Sequence, residues 1–116
     1  MGDENINRYE LMIAVRPDLS PTDYTQIEDS FREVVEKHRG KVSDWQIWAE
    51  KRSLAYPLHT RGAKKMRFNE ATYILVNLSL SAQELSRLKY TLDLDERVLR
   101  FLIIRKKKRS NNGRFK

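Results

Sequence analysis

The chain has 116 residues, no cysteine, and 23 Lys and Arg against 16 Asp and Glu, for a net charge of +7. That is the length of one ordinary domain, and 40% apolar residues supply one modest core. The lack of cysteine excludes disulfides, thiolate metal sites and cysteine nucleophiles, and no apolar run approaches the roughly 20 residues of a membrane helix.

Met1-Gly2-Asp3-Glu4-Asn5 is polar and acidic, unlike a secretory leader or a basic transit peptide, so a soluble intracellular protein is the expectation. Residues 1–6 read as an N-terminal extension. Residues 8–15 then alternate, with Tyr9, Leu11, Ile13 and Val15 on one face and Glu10, Met12 and Ala14 on the other, which predicts a strand. Arg16-Pro17-Asp18-Leu19 breaks it. Ser20 caps a helix that Pro21 starts and Asp23 favours at the positive dipole end. Tyr24, Ile27, Phe31, Val34 and Val35 give it an apolar stripe, and Gly40 is the expected terminator.

Residues 41–48, running on toward Leu58, predict a second strand. Val42, Trp45, Ile47 and Trp48 do not alternate cleanly, so a bulge is expected, and Pro57 assigns the strand to a sheet edge or ends it. A basic loop follows, with Gly62 at its turn. Residues 71–80 predict a third strand with Thr72, Ile74, Val76, Leu78 and Leu80 inward. Ser81-Ala82-Gln83-Glu84 has the pattern of a capping box before a short helix carrying Leu85, Leu88 and Leu92. Residues 97–105 predict the last strand, with Leu99, Phe101 and Ile103 inward and Arg100, Leu102 and Ile104 outward. Residues 106–116 form a patternless basic tail, expected to be disordered in isolation.

This order, βαββαβ, is an α+β, ferredoxin-like arrangement: a four-stranded antiparallel sheet with two helices on one face, spanning residues 7–105. The other face is open and presents Met12, Ala14, Tyr73, Leu75, Asn77, Arg100, Leu102 and Ile104. Met12, Tyr73, Leu75, Leu102 and Ile104 are the candidates to meet a partner protein. A tolerated or self-associating face is the alternative.

Charge is segregated along the chain. Residues 51–69 hold six Lys and Arg and no acid, residues 105–116 hold seven and no acid, and the rest carries all 16 acids against ten bases. A mildly acidic body with two basic segments is suited to meeting a polyanion at defined places. The candidate RNA contacts in and beside these segments are Lys51, Arg52, Tyr56, Arg61, Lys64, Lys65, Arg67, Arg97, Arg100, Arg105, Lys106, Lys107, Lys108 and Arg109. Tyr56 either stacks on RNA or packs into its hairpin, and packing is the favoured expectation. The open face lacks the paired aromatics of an RNA-recognition motif, so edges, loops and tail are the expected contacts.

Catalytic chemistry finds little support. His38 is explained by a helix C-terminus and His59 by a basic loop. No residue spacing suggests a metal site, no glycine-rich phosphate loop is present, and no cofactor is expected. An acylphosphatase-like anion cradle after the first strand is disfavoured by Pro17 and Pro21, which lack amide donors.

Arg8-Tyr9-Glu10, Arg16-Pro17-Asp18-Leu19, Leu54-Ala55-Tyr56-Pro57-Leu58, Tyr73-Ile74-Leu75-Val76-Asn77 and Val98-Leu99-Arg100-Phe101 together resemble protein six of the bacterial small ribosomal subunit. The resemblance covers about residues 7–106. It implies a non-catalytic constituent of the small subunit that binds the central domain of its RNA as a heterodimer with small-subunit protein eighteen. It also implies a cytoplasmic location on the ribosome, or an organellar one, with no membrane or small-molecule partner. By position it carries an RNA role to Lys51, Arg52 and Tyr56, and to Arg8, Arg100 and Arg105. One departure stands out. Trp48-Ala49-Glu50-Lys51-Arg52-Ser53 lacks the family's glycine after tryptophan and is one residue longer. A ferredoxin-like ligand-sensing or homodimerising domain is the alternative reading.

Overall fold

A computed structural model describes residues 6–60 and 65–106. Strand β1 spans Ile6–Val15, helix α1 Pro21–Lys37, β2 Lys41–His59, β3 Arg67–Ser81, α2 Leu85–Leu94 and β4 Val98–Lys106. All strand pairs are antiparallel, in the order β2-β3-β1-β4. This is the ferredoxin-like arrangement the sequence predicts. Among the described residues no helix is long and apolar enough to cross a membrane.

The core follows from period-2 alternation on one side of the sheet and helical spacing above it. Leu11, Ile13, Val15, Ile74, Val76, Leu78 and Leu80 point to the helices and are buried. Ile27, Phe31 and Val35 of α1 and Leu88 and Leu92 of α2 cover them. Phe31 also meets Trp45 of β2, ring centroids 5.3 Å apart. Pro57 lies in β2, which is an edge strand of the sheet.

Ser20 caps α1 reciprocally. Its Oγ accepts from the Asp23 amide, and the Asp23 carboxylate accepts from the Ser20 amide at 3.0 Å. At the other end the helix closes as a Schellman motif: Gly40 N–H donates to the Val35 carbonyl at 2.8 Å and Arg39 N–H to that of Glu36 at 3.0 Å. The left-handed residue is Arg39, with φ 67°, and not Gly40. Gly40 serves close approach instead. A Cβ there would stand 2.5 Å from the Ser79 carbonyl oxygen and 2.7 Å from Leu80 Cδ1.

Two local expectations are corrected. Ser81 does not form a capping box with Glu84. It caps a single 3-10 turn, Ala82–Glu84, by accepting from the Gln83 amide. The Glu84 carboxylate turns toward other side chains, with Oε1 3.1 Å from His38 Nδ1 and 3.3 Å from Arg87 Nε, at angles that do not make hydrogen bonds. Leu99 does not face the helices either. The register slips between Ala14↔Arg100 and Val15↔Val98, leaving Leu99 as the bulged residue. Val98 takes the inward place, and Leu99 joins Ala14 and Ala71 in a second apolar cluster on the other face, against Leu54, Leu58, Phe68 and Tyr73.

Candidate nucleic-acid interface

The pairing registers lay out the open face as a grid. Ser79, Arg8 and Lys106 form one row across β3, β1 and β4. Asn77, Glu10 and Ile104 form the next, then Leu75, Met12 and Leu102, then Tyr73, Ala14 and Arg100. On β2, Asp44 faces Asn77 and Gln46 faces Leu75. The proposed partner residues Met12, Tyr73, Leu75, Leu102 and Ile104 therefore share one face. Leu102 and Ile104, on edge strand β4, are the most open of them, at 61% and 50% exposure.

Basic residues occupy both ends of this face. At one end lie Arg8 and Lys106, both exposed, while Arg105, opposite the buried Tyr9, is exposed on the helix side of the same end of β4. Arg8 and Lys106, with Ser43, Asp44, Asn77 and Ser79, line a depression of about 280 Å³, where Lys106 Nζ donates to Asn77 Oδ1 at 3.2 Å. At the other end Arg100 on β4 and Arg52 on β2 lie on the face; Lys51, Lys65 and Arg67 are exposed in the same β2–β3 hairpin, with Lys51 lining a groove on the helix side beside Glu50, Leu19 and Tyr24. Six residues separate Arg8 from Ala14, so the two ends are roughly 20 Å apart. Glu10 and Asp44 stand between them. Arg61, Lys64, Lys107, Lys108 and Arg109 lie outside the described residues, as do Gly62 and the tail beyond Lys106.

The ion pairs of the described residues use other groups: Arg16–Asp18, Arg32–Glu28, Arg87 and His38 with Glu84, and Arg97–Asp95. Arg97 is thus set apart from its fellow candidates. Its guanidinium grips Asp95 through Nε and Nη2, each at 2.9 Å, and reaches Gln26 Oε1 at 3.2 Å. Burial alone would push the Asp95 carboxyl up. Hydrogen bonds from the Arg97 side chain and amide, with its positive charge, outweigh burial and hold it below the usual carboxylate range. Arg16 is held similarly. It donates to Asp18 and lies 5.0 Å from the centroid of the Phe68 ring.

The extra residue before the Leu-Ala-Tyr-Pro segment becomes a bulge. Three steps on β2, from Ala49 to Arg52, span two on β3, from Tyr73 to Ala71. Lys51 takes the left-handed conformation there, with φ 47°, and its amide donates to Thr72 Oγ1 at 3.1 Å. Farther along, Ser53↔Glu70 is followed by Leu58↔Phe68, so Leu54–Pro57 bows out of register. Tyr56 sits on this bow, 80% exposed. The expectation that it packs into the hairpin is therefore overturned.

One residue of this face escaped the sequence reading. A bulge between Ile47↔Ile74 and Ala49↔Tyr73 turns Trp48 onto the open side, where it meets Tyr73 edge to face at 6.2 Å. Arg52 lies over the same indole, 5.5 Å from its centroid. The broken alternation at Ile47-Trp48 was the signal.

The model of the family Ribosomal protein S6 matches residues 8–105. The chain belongs to the ribosomal protein S6 family. Among curated members, the small ribosomal subunit protein bS6 of Corynebacterium diphtheriae is 34% identical over 100 residues, covering 86% of this chain and 97% of that one. The bS6 of Synechocystis is 30% identical, covering 86% and 81%. The crystal structure of 30S ribosomal protein S6 from Thermotoga maritima superposes with a TM-score of 0.72 at 19% identity, covering 87% of this chain and 88% of that one, which establishes the shared fold. Proteins of the S6 family are structural ribosomal components, not enzymes.

Proposed function

We propose that this S6-family chain binds small-subunit ribosomal RNA, in the central domain, jointly with small-subunit protein eighteen on cytoplasmic ribosomes. The observation that carries the reading is the set of exposed cations outside the ion pairs of the described residues, at both ends of the sheet. Arg8, Arg105 and Lys106 serve one strand of phosphates, and Lys51, Arg52, Lys65, Arg67 and Arg100 another. Arg61, Lys64 and the tail cations Lys107, Lys108 and Arg109 extend these two sets on sequence grounds. Arg97 contributes by positioning the β4 start through Asp95.

The apolar middle of the face, Met12, Leu75, Leu102 and Ile104, with Tyr73 at its border, is suited to a protein partner. Each surface alone is small, and binding RNA together makes the second contact intramolecular. Neutralising Lys51 and Arg52 (Lys51→Gln with Arg52→Gln) tests the assignment. The log–log salt slope of RNA binding should fall by about one per lost phosphate contact. An unaltered slope and affinity would remove the hairpin from the interface.

A further inference from the structure

Resting on that reading, we propose that Trp48 is a stacking site for an unpaired RNA base, with Arg52 positioned for the phosphate beside it. Sequence reasoning assigned RNA contact to charged residues and to Tyr56. The geometry adds a π surface.

Three observations converge. Trp48 is 54% exposed, yet its ring is held on the open face by the bulge, by the edge contact to Tyr73 at 6.2 Å and by Arg52 at 5.5 Å. Held between these neighbours, the indole loses little freedom on binding, which favours a flat ligand. Arg52 supplies a cation beside it. Arg100 lies farther along the same Tyr73–Ala14 row, on β4. Glu50 of the same stretch is directed elsewhere: it lines a groove on the helix side with Lys51, Leu19, Tyr24 and Thr72. An aromatic ring beside a guanidinium group suits a nucleotide: base on indole, phosphate on arginine. A purely apolar partner segment would leave Arg52 desolvated without counter-charge.

The test uses the full chain in a Trp45→Phe background, so that Trp48 alone reports. Small-subunit ribosomal RNA, protein eighteen, and both together are added in turn. RNA together with protein eighteen should quench Trp48 emission, and protein eighteen alone should not. Trp48→Leu should weaken RNA binding roughly tenfold with the salt slope unchanged, while Trp48→Phe retains most of the affinity. Urea unfolding of each variant confirms that the fold is intact. Quenching by protein eighteen alone would make this a protein-docking site and overturn the proposal. So would Trp48→Leu binding RNA like the parent; if Arg52→Gln still weakens binding, RNA contact through phosphates survives. Absence of RNA binding by the parent with protein eighteen present would overturn both readings.

Discussion

A methyl group on Gly40 would press against the Ser79 carbonyl, while one residue earlier Arg39 already bears a side chain at positive φ. The two positions should therefore respond in opposite senses. Gly40→Ala is expected to cost about 1–3 kcal/mol through overpacking. Arg39→Gly should be neutral or stabilise by up to about 1 kcal/mol, because glycine accepts the left-handed conformation without strain. Urea denaturation of both variants decides it, and equal destabilisation would contradict the Schellman geometry. The sequence announced a glycine-terminated helix here. It could not say which residue turns, because that depends on how close β3 passes.

Also at the residue scale, Asp95 links stability to pH. Its folded pKa is depressed, so its contribution is present above the unfolded value of about 4 and is lost as pH falls through the lower folded value. Stability should thus fall in acid, and Asp95→Asn should flatten part of that fall while lowering stability at neutral pH. Unfolding curves between about pH 2 and 7 would show it. An unchanged acid limb would exclude the Asp95–Arg97 pair as its source. The raised Arg97 titrates too high to matter in this range.

At the scale of elements, regular alternation was legible and irregularity was not. β1 and the inward residues of β3 follow directly from period 2. β2 departs from it four times, and each register shift changes which side chains face outward. A bulge could be anticipated from Ile47-Trp48, but its location decides whether Trp48 or Ile47 is presented. That is set by pairing with β3, a non-local contact. Leu99 fails for the same reason, since its face depends on a slip against β1. The capping box at Ser81 failed because Glu84 has a second option, side chains on α1 and α2 that no local pattern reveals. The contrast between core and bow gives a prediction. Phe31→Ala should cost about 3–5 kcal/mol, whereas Tyr56→Ala should stay within about 0.5. Comparable losses in chemical denaturation would mean that Tyr56 is packed after all.

For the whole molecule, the segregation of charge was the feature most readable from the sequence. Folding converts two sequence segments into two ends of one sheet, with Glu10 and Asp44 between them. The candidate cations of the hairpin and of β4 were legible because charge runs need no tertiary information. Arg97 differs from them because its guanidinium is taken up by Asp95, two residues away, which a count of charges does not reveal. Removing residues 107–116 should weaken RNA binding and reduce its salt slope, since this segment carries five of the Lys and Arg.

The most direct test of joint assembly is binding of this chain to small-subunit ribosomal RNA across a salt series, with and without protein eighteen. Tight binding only in the partner's presence, falling steeply as salt rises, is the predicted result. Specific binding that is indifferent to the partner, or no specific binding in either case, would contradict it.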